Sequence, residues 1–218
     1  MKRLFIHFRI FGVMSMAAWL FSACASQPRN EQELQAYVAD PSNEVTKQTA
    51  SGGLDFTVTY RPTDLLVAQT LGDEQVDTEA LESLRKRYGN YVYFTLQMKA
   101  GDRDVLYGTA SDQAVFSEAL QTLSFRMGDY VTLTTASQDT IPVADYTYPR
   151  TFGMAKQTSL MFAFNKEKLK EQEWVSFNLN EFGLHAGDQR FRFQVSDLEN
   201  VPQLPFESSK SSKKLSVK

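Results

Sequence analysis

The chain has 218 residues, 23 Lys and Arg against 26 Asp and Glu, a net charge of −3 and no basic stripe. That balance argues against a nucleic-acid partner, and the length suits one domain, or one domain with appendages. One cysteine (Cys24) and two histidines (His7 and His185) leave no disulfide framework and no Cys/His zinc site.

Residues 1–9, MKRLFIHFR, carry Lys2, Arg3 and Arg9 and no acid, and residues 10–23, IFGVMSMAAWLFSA, hold no charge. A basic head, a short apolar run and small residues before a cut are the pattern of a secretory signal peptide. The uncharged run of 14 residues falls short of the roughly 20 that span a bilayer as a helix. The next segment, SQPRNEQE, lacks the basic cluster of a stop-transfer flank. Leu20-Phe21-Ser22-Ala23-Cys24 resembles the bacterial lipobox read by signal peptidase II. The resemblance implies a diacylglycerol on the Cys24 sulfur, cleavage between Ala23 and Cys24, and acylation of the new amine. A single myristoyl chain binds a membrane only marginally, at about 0.8 kcal/mol per buried CH₂, whereas three chains would hold the protein almost permanently. The membrane is therefore an expected partner through the N-terminal lipid, and no thiol is left for a Cys nucleophile. Removing residues 1–23 leaves 195 residues with a net charge of about −6.

The mature chain is expected to divide into 24–44 (lipidated N-terminus, polar tether and short helix), 45–202 (β-rich globular domain) and 203–218 (disordered Ser/Lys-rich tail). ASQPRN at 25–30 reads as the tether, and ELQAYVAD at 33–40 as one short helix stopped by Pro41. Leu54, Phe56, Val58 and Tyr60 alternate with polar residues after Gly52-Gly53, the pattern of a half-buried strand. Pro62 precedes a helical TDLLVAQTL. Residues 77–88 place Leu81, Leu84 and Tyr88 on one helical face, with Asp77 or Thr78 as cap and Gly89 as stop. Tyr91–Lys99 alternates again, Val92, Phe94, Leu96 and Met98 on one side and Tyr91, Tyr93, Thr95 and Gln97 on the other. Ser111 and Asp112 open a second helix with Val115, Ala119 and Leu123 facing inward. Strands are expected next at 130–136, 140–148, 157–165, 173–180 and 189–197. The pattern predicts a mainly β (α+β) protein: an antiparallel β-sandwich or curved sheet of about seven strands with a few short helices.

The strings AYVADPSN (36–43), GGLDFTVTYRPTDLLVAQ (52–69) and FNLNEFGLHAGDQRFRFQVSDLENVP (177–202) resemble uncharacterised lipoproteins of Bacteroidota-type bacteria. The resemblance implies a lipoprotein of the cell envelope and brings no activity with it. Surface-directed lipoproteins of such bacteria often carry an acidic run just after the cysteine. Ala25 to Asn30 hold no acid, so the expected location is the outer membrane, facing the periplasm.

Candidate sites are few. Tyr91, Tyr93, Tyr146 and Tyr148 are the candidate ligand or partner face, since exposed aromatics beside Arg150 stack on sugars or grip partners. His185 sits in a glycine-flanked turn and carries any histidine-dependent chemistry alone. Asp197 and Glu199, two apart at a strand end, would share a face, as paired carboxylates of a glycosidase must. Ser211-x-x-Lys214 matches a penicillin-binding signature but lies in the tail with no accompanying motif. No G-x-S-x-G, H-E-x-x-H, P-loop or Rossmann pattern occurs. The sequence therefore points to a non-enzymatic binding or assembly role with an unnamed envelope protein or ligand, needing no metal or cofactor. The alternative is a lipid-anchored binder of a small molecule or glycan, and a carboxylate-based enzyme is the weakest reading.

Overall fold

The computed structural model describes residues 27–72, 77–150 and 155–206; the expected signal peptide, Cys24, Ser211 and Lys214 lie outside them. Among the described residues nine strands form two antiparallel sheets. The first sheet contains β1 (Thr46–Ser51), β2 (Leu54–Arg61), β3 (Tyr91–Lys99), β6 (Asp145–Thr147) and β7 (Thr158–Asn165), in the order β1-β2-β3-β7-β6. The second contains β4 (Val131–Thr135), β5 (Thr140–Pro142), β8 (Trp174–Leu179) and β9 (Gln189–Gln194), in the order β5-β4-β8-β9.

Phenylalanines close the space between the sheets. Phe94 of β3 lies 5.8 Å from Phe177 of β8 and 5.1 Å from Phe193 of β9, measured between ring centroids. Phe162 and Phe164 of β7 meet Phe177 edge-on. These are the tilted and edge-to-face geometries that aromatic quadrupoles favour. The alternation of each strand decides which residues enter: Phe56, Val58, Phe94, Leu96, Phe162, Phe177 and Phe193 are all buried. The expected pairing of 173–180 with 189–197 holds, with Phe177 opposite Phe191 and Val175 opposite Phe193.

Three helices cover the outer face of the first sheet at one end: α1 (Glu31–Ala39), α2 (Thr63–Leu71) and α3 (Thr78–Gly89). Asn30 caps α1 by accepting the Glu33 N–H at 2.9 Å, and Leu34 and Val38, one turn apart, are buried. The globular domain therefore starts with α1 rather than at residue 45. Pro28 is already buried, so the polar tether also ends earlier than expected. At the other end Leu204 is buried and donates its N–H to Asp64 at 2.8 Å. Packing thus continues beyond residue 203, the expected start of the tail.

Three strand assignments change. Residues 46–51, TKQTAS, carry no apolar alternation, yet they form the edge strand β1. The Gly52-Gly53 turn, both residues at positive φ, folds it onto β2. The expected single strand 140–148 is two short strands in different sheets, β5 pairing β4 and β6 pairing β7, because the chain crosses between sheets after Pro142. Residues 195–199 form a short helix, α6 (Val195–Glu199), rather than the end of a strand. Between β3 and β4 the chain leaves the sandwich. It forms a 3₁₀ turn (Val105–Thr109), α4 (Gln113–Gln121), a π-helical turn (Thr122–Arg126) and α5 (Met127–Tyr130).

Candidate functional site

This helical excursion and the chain after β6 enclose an apolar cleft of about 460 Å³. Its apolar wall is Leu106, Tyr107, Phe116, Leu120 and Tyr148, and its rim carries Arg103, Arg150 and Lys156 with Asp102 and Asp104. Each wall arises from local chemistry. Gly101, at positive φ, makes a tight turn in which Ala100 and Arg103 exchange backbone hydrogen bonds of 2.9 and 3.3 Å. Asp104 then caps the 3₁₀ turn by accepting the Leu106 N–H at 2.8 Å. Asp112 caps α4 by accepting the N–H groups of Ala114 and Val115. The buried stripe of the excursion runs through Ala119, Leu123 and Met127, which leaves Phe116 and Leu120 to the cleft. Val115, expected inward, is 43% exposed: it sits at the border of that stripe in the first turn, clear of the sheet.

Two of the rim cations lie over aromatic rings. The Arg103 guanidinium lies 3.9 Å from the centre of the Tyr107 ring, and that of Arg150 lies 5.5 Å from Phe125. Among the described residues neither they nor Lys156 form an ion pair. Burial, followed by the charge of Asp104, pushes the Tyr148 phenol up, while Arg150 opposes it. The neighbouring π-helical turn leaves Phe125 72% exposed, as Tyr107 of the 3₁₀ turn is at 60%, and buries the Ser124 hydroxyl without a partner among the described residues. Wide turns of this kind recur at functional positions.

The four tyrosines do not make one face. Tyr93 shares the outer face of β3 with Tyr91, 6.2 Å away, and lies partly under Tyr88 of α3, also at 6.2 Å. Burial is the main reason its phenol is pushed up. Tyr146 points the other way, because β6 pairs it with Phe162, which in turn pairs with Phe94. Its ring stacks on Phe162 at 5.6 Å and its hydroxyl accepts the Met127 N–H at 3.3 Å, so it buttresses the core and anchors α5. Tyr148 reaches the apolar cleft and Tyr91 a different one.

The second cleft, about 690 Å³, lies at the end of the sandwich and is lined by Tyr91, Tyr60, Lys166, Lys170, Glu167 and Glu199 among others. It is larger but already balanced, two lysines against two glutamates, with Lys170 and Glu167 3.8 Å apart in an exposed pair. Such a wall is well solvated and gives a ligand little that water does not. At its base the buried Tyr60 phenol is pushed up to about 12, by burial first and then by the charges of Glu199 and Asp64. Asp197 and Glu199 sit in α6. Two residues apart on a helix they point about 200° from one another, so the shared carboxylate face expected of a strand is not formed.

His185 is exposed and at positive φ, in a loop organised by its neighbour Glu181. One Glu181 oxygen accepts the N–H groups of Gly183, Leu184 and His185 at 2.8, 2.6 and 3.0 Å. The other accepts those of Ala186 and Gly187 at 2.7 and 2.5 Å. Burial raises the Glu181 carboxyl, but the backbone donors outweigh it and hold the group below its ordinary value. The anion-binding concavity of this loop is thus filled by the chain's own carboxylate. Sequence reading missed this role of Glu181, as it missed Arg103, Tyr107, Phe116 and Leu120. The spacing of Gly183 and Gly187 after an acid was the available sign of the loop; nothing local announced the cleft.

No family model matches the chain, and no curated protein matches it. A solved structure similar to it is that of a protein of unknown function from Burkholderia pseudomallei. The two are 14% identical over 78% of this chain and 88% of the other, with a TM-score of 0.39, a likeness too distant to bear on function.

Proposed function

We propose that the chain is a lipid-anchored protein of the cell envelope, attached through Cys24 to the outer membrane on its periplasmic side, and that its sandwich domain is a non-enzymatic binding module. Its ligand is a small molecule with an apolar body, taken up in the cleft beneath the helical excursion. The observation that carries this reading is the cleft itself: about 460 Å³, inside the range of small-molecule sites, with apolar walls and a few polar groups at its rim. The exposed Phe125 and Tyr107 beside the cleft also suit contact with an envelope partner, which is the second reading.

Two measurements test it. Metabolic labelling with a fatty-acid probe marks the wild-type protein and not Cys24→Ala; continued labelling of the variant overturns the anchor. For the cleft, the probe is the neutral fluorophore N-phenyl-1-naphthylamine, titrated into the full mature chain carrying Cys24→Ala so that no attached lipid competes. Fluorescence enhancement is expected with this protein and is lost when Ala110, which also lines the cleft, is made bulky by Ala110→Trp. No enhancement, or equal enhancement in both, overturns the small-molecule reading.

A further inference from the structure

We infer that the cleft selects an acidic amphiphile, a molecule with a medium-length acyl chain and a carboxylate head, such as a fatty acid. This deepens the cleft reading above and rests on it. Leu106, Phe116, Leu120 and the ring of Tyr148 offer the chain an apolar bed, while Arg103, Arg150 and Lys156 surround the opening. Of the two acids on the same rim, Asp104 is buried and turned to the Leu106 N–H. Among the described residues the rim therefore carries three cations, Arg103, Arg150 and Lys156, against two carboxylates, Asp102 and the inward-turned Asp104, a net positive balance. A guanidinium stacked on a ring has its face occupied and its in-plane N–H groups free. In Arg103 and Arg150 those edges form the planar forks that match a carboxylate two bonds at a time. The contact of Arg103 with Tyr107 at 3.9 Å restricts that side chain before the ligand arrives, which lowers the ordering cost of binding; Arg150, 5.5 Å from Phe125, is held more loosely. A neutral alcohol of the same chain length would fill the apolar bed and leave the forks unmatched.

Displacement of N-phenyl-1-naphthylamine from the Cys24→Ala chain tests this, with dodecanoate and dodecan-1-ol as competitors, both below the concentrations at which they aggregate. Dodecanoate is expected to displace the probe at a concentration about 10- to 100-fold lower than dodecan-1-ol, the effect of one or two charge-assisted hydrogen bonds. Arg103→Gln and Arg150→Gln should each narrow that gap, weakening displacement by dodecanoate far more than by dodecan-1-ol, while lowering the thermal midpoint by only about 1–4 °C, the value of one exposed cation–ring contact. Equal displacement by the two competitors overturns the carboxylate assignment and leaves the apolar cleft standing. A gap that persists in both variants overturns the role of the arginines. Stronger displacement by a lysophosphatidic acid of the same chain length overturns the carboxylate head in favour of a phosphate. If the fluorophore itself does not bind, the cleft reading falls and this inference falls with it.

Discussion

Glu181→Gln probes the β8–β9 loop at the group that organises it. The wild-type carboxylate accepts five backbone N–H groups, three on one oxygen and two on the other. Glutamine keeps one acceptor oxygen and turns the second into an NH₂ that faces donors. Two charge-assisted hydrogen bonds are then lost, worth about 1.5–3 kcal/mol each. Water reaches part of this loop, since Gly183, His185 and Gly187 are exposed, so solvent screening reduces the net cost at neutral pH to about 2–4 kcal/mol. For a domain of this size that lowers the thermal midpoint by roughly 4–16 °C. The pH dependence has a definite sign. The folded carboxyl titrates below its ordinary value of 4.5, so its contribution is complete above that value and is lost as pH falls through the lower, folded one. Urea unfolding monitored by circular dichroism, for both proteins from pH 7 to pH 3, reads the difference directly. The gap in stability should be flat down to about pH 5 and should close below the ordinary carboxylate value. A gap that stays constant to pH 3, or none at pH 7, would refute the assignment of the loop to a carboxylate-filled nest.

Two further predictions concern the core and the C-terminal segment. Phe193→Ala should cost about 3–5 kcal/mol, since the ring is fully buried against Phe94. Arg192→Ala, next to it on the exposed face, loses a stack on Trp174 at 4.0 Å worth about 0.5–1 kcal/mol; equal losses by urea denaturation would mean the faces of β9 are assigned wrongly. Asp64→Ala removes the buried acceptor of a two-bond Arg85 pair, at 2.9 and 2.8 Å, and of the Leu204 N–H. It should cost about 3 kcal/mol and open residues 200–206 to limited proteolysis. An unchanged digestion pattern would show that Asp64 does not hold that segment.

The sandwich was largely legible because its signal is local. Val175, Phe177 and Leu179, and likewise Phe191 and Phe193, alternate with polar residues, and period-2 alternation is what a sheet with one buried face imposes. Features with a non-local cause were not legible. β1 has nothing apolar to bury, and its existence depends on the Gly52-Gly53 turn and on the exposed ladder edge of β2. The approach of the β8–β9 loop reinforces that turn: a Cβ on Gly52 would lie 2.8 Å from both the Ala186 Cα and the His185 carbonyl oxygen. The break of 140–148 into two sheets is a topological event that three-residue strands cannot encode in their alternation. Strand parity groups Tyr91 with Tyr93 and Tyr146 with Tyr148, which suggests one common face. Parity fixes the face within a strand; pairing across the sheet fixes it between strands, and only β7 reveals that Tyr146 and Tyr93 point oppositely. Cys24, the most specific signal in the sequence, lies outside the described residues, and the labelling experiment tests it directly.

The cleft, where the proposed activity resides, was illegible for a physical reason. The two sheets satisfy one another: their inner faces are closed by phenylalanines, and α1, α2 and α3 cover part of the outer face of the first. The excursion between β3 and β4 adds Val105, Leu123 and Met127 to that core but leaves Tyr107, Val115 and Phe125 exposed. Tyr107 lines the apolar cleft, and Tyr107 and Phe125 carry the rim arginines Arg103 and Arg150 over their rings. Rigid sheets that position a less regular segment are the usual support for a binding site. The excursion is therefore the place where substitution should alter ligand recognition with the least effect on folding. Arg103 and Arg150 are exposed and stack on rings that are themselves exposed, which makes them the residues at which recognition and stability separate most cleanly.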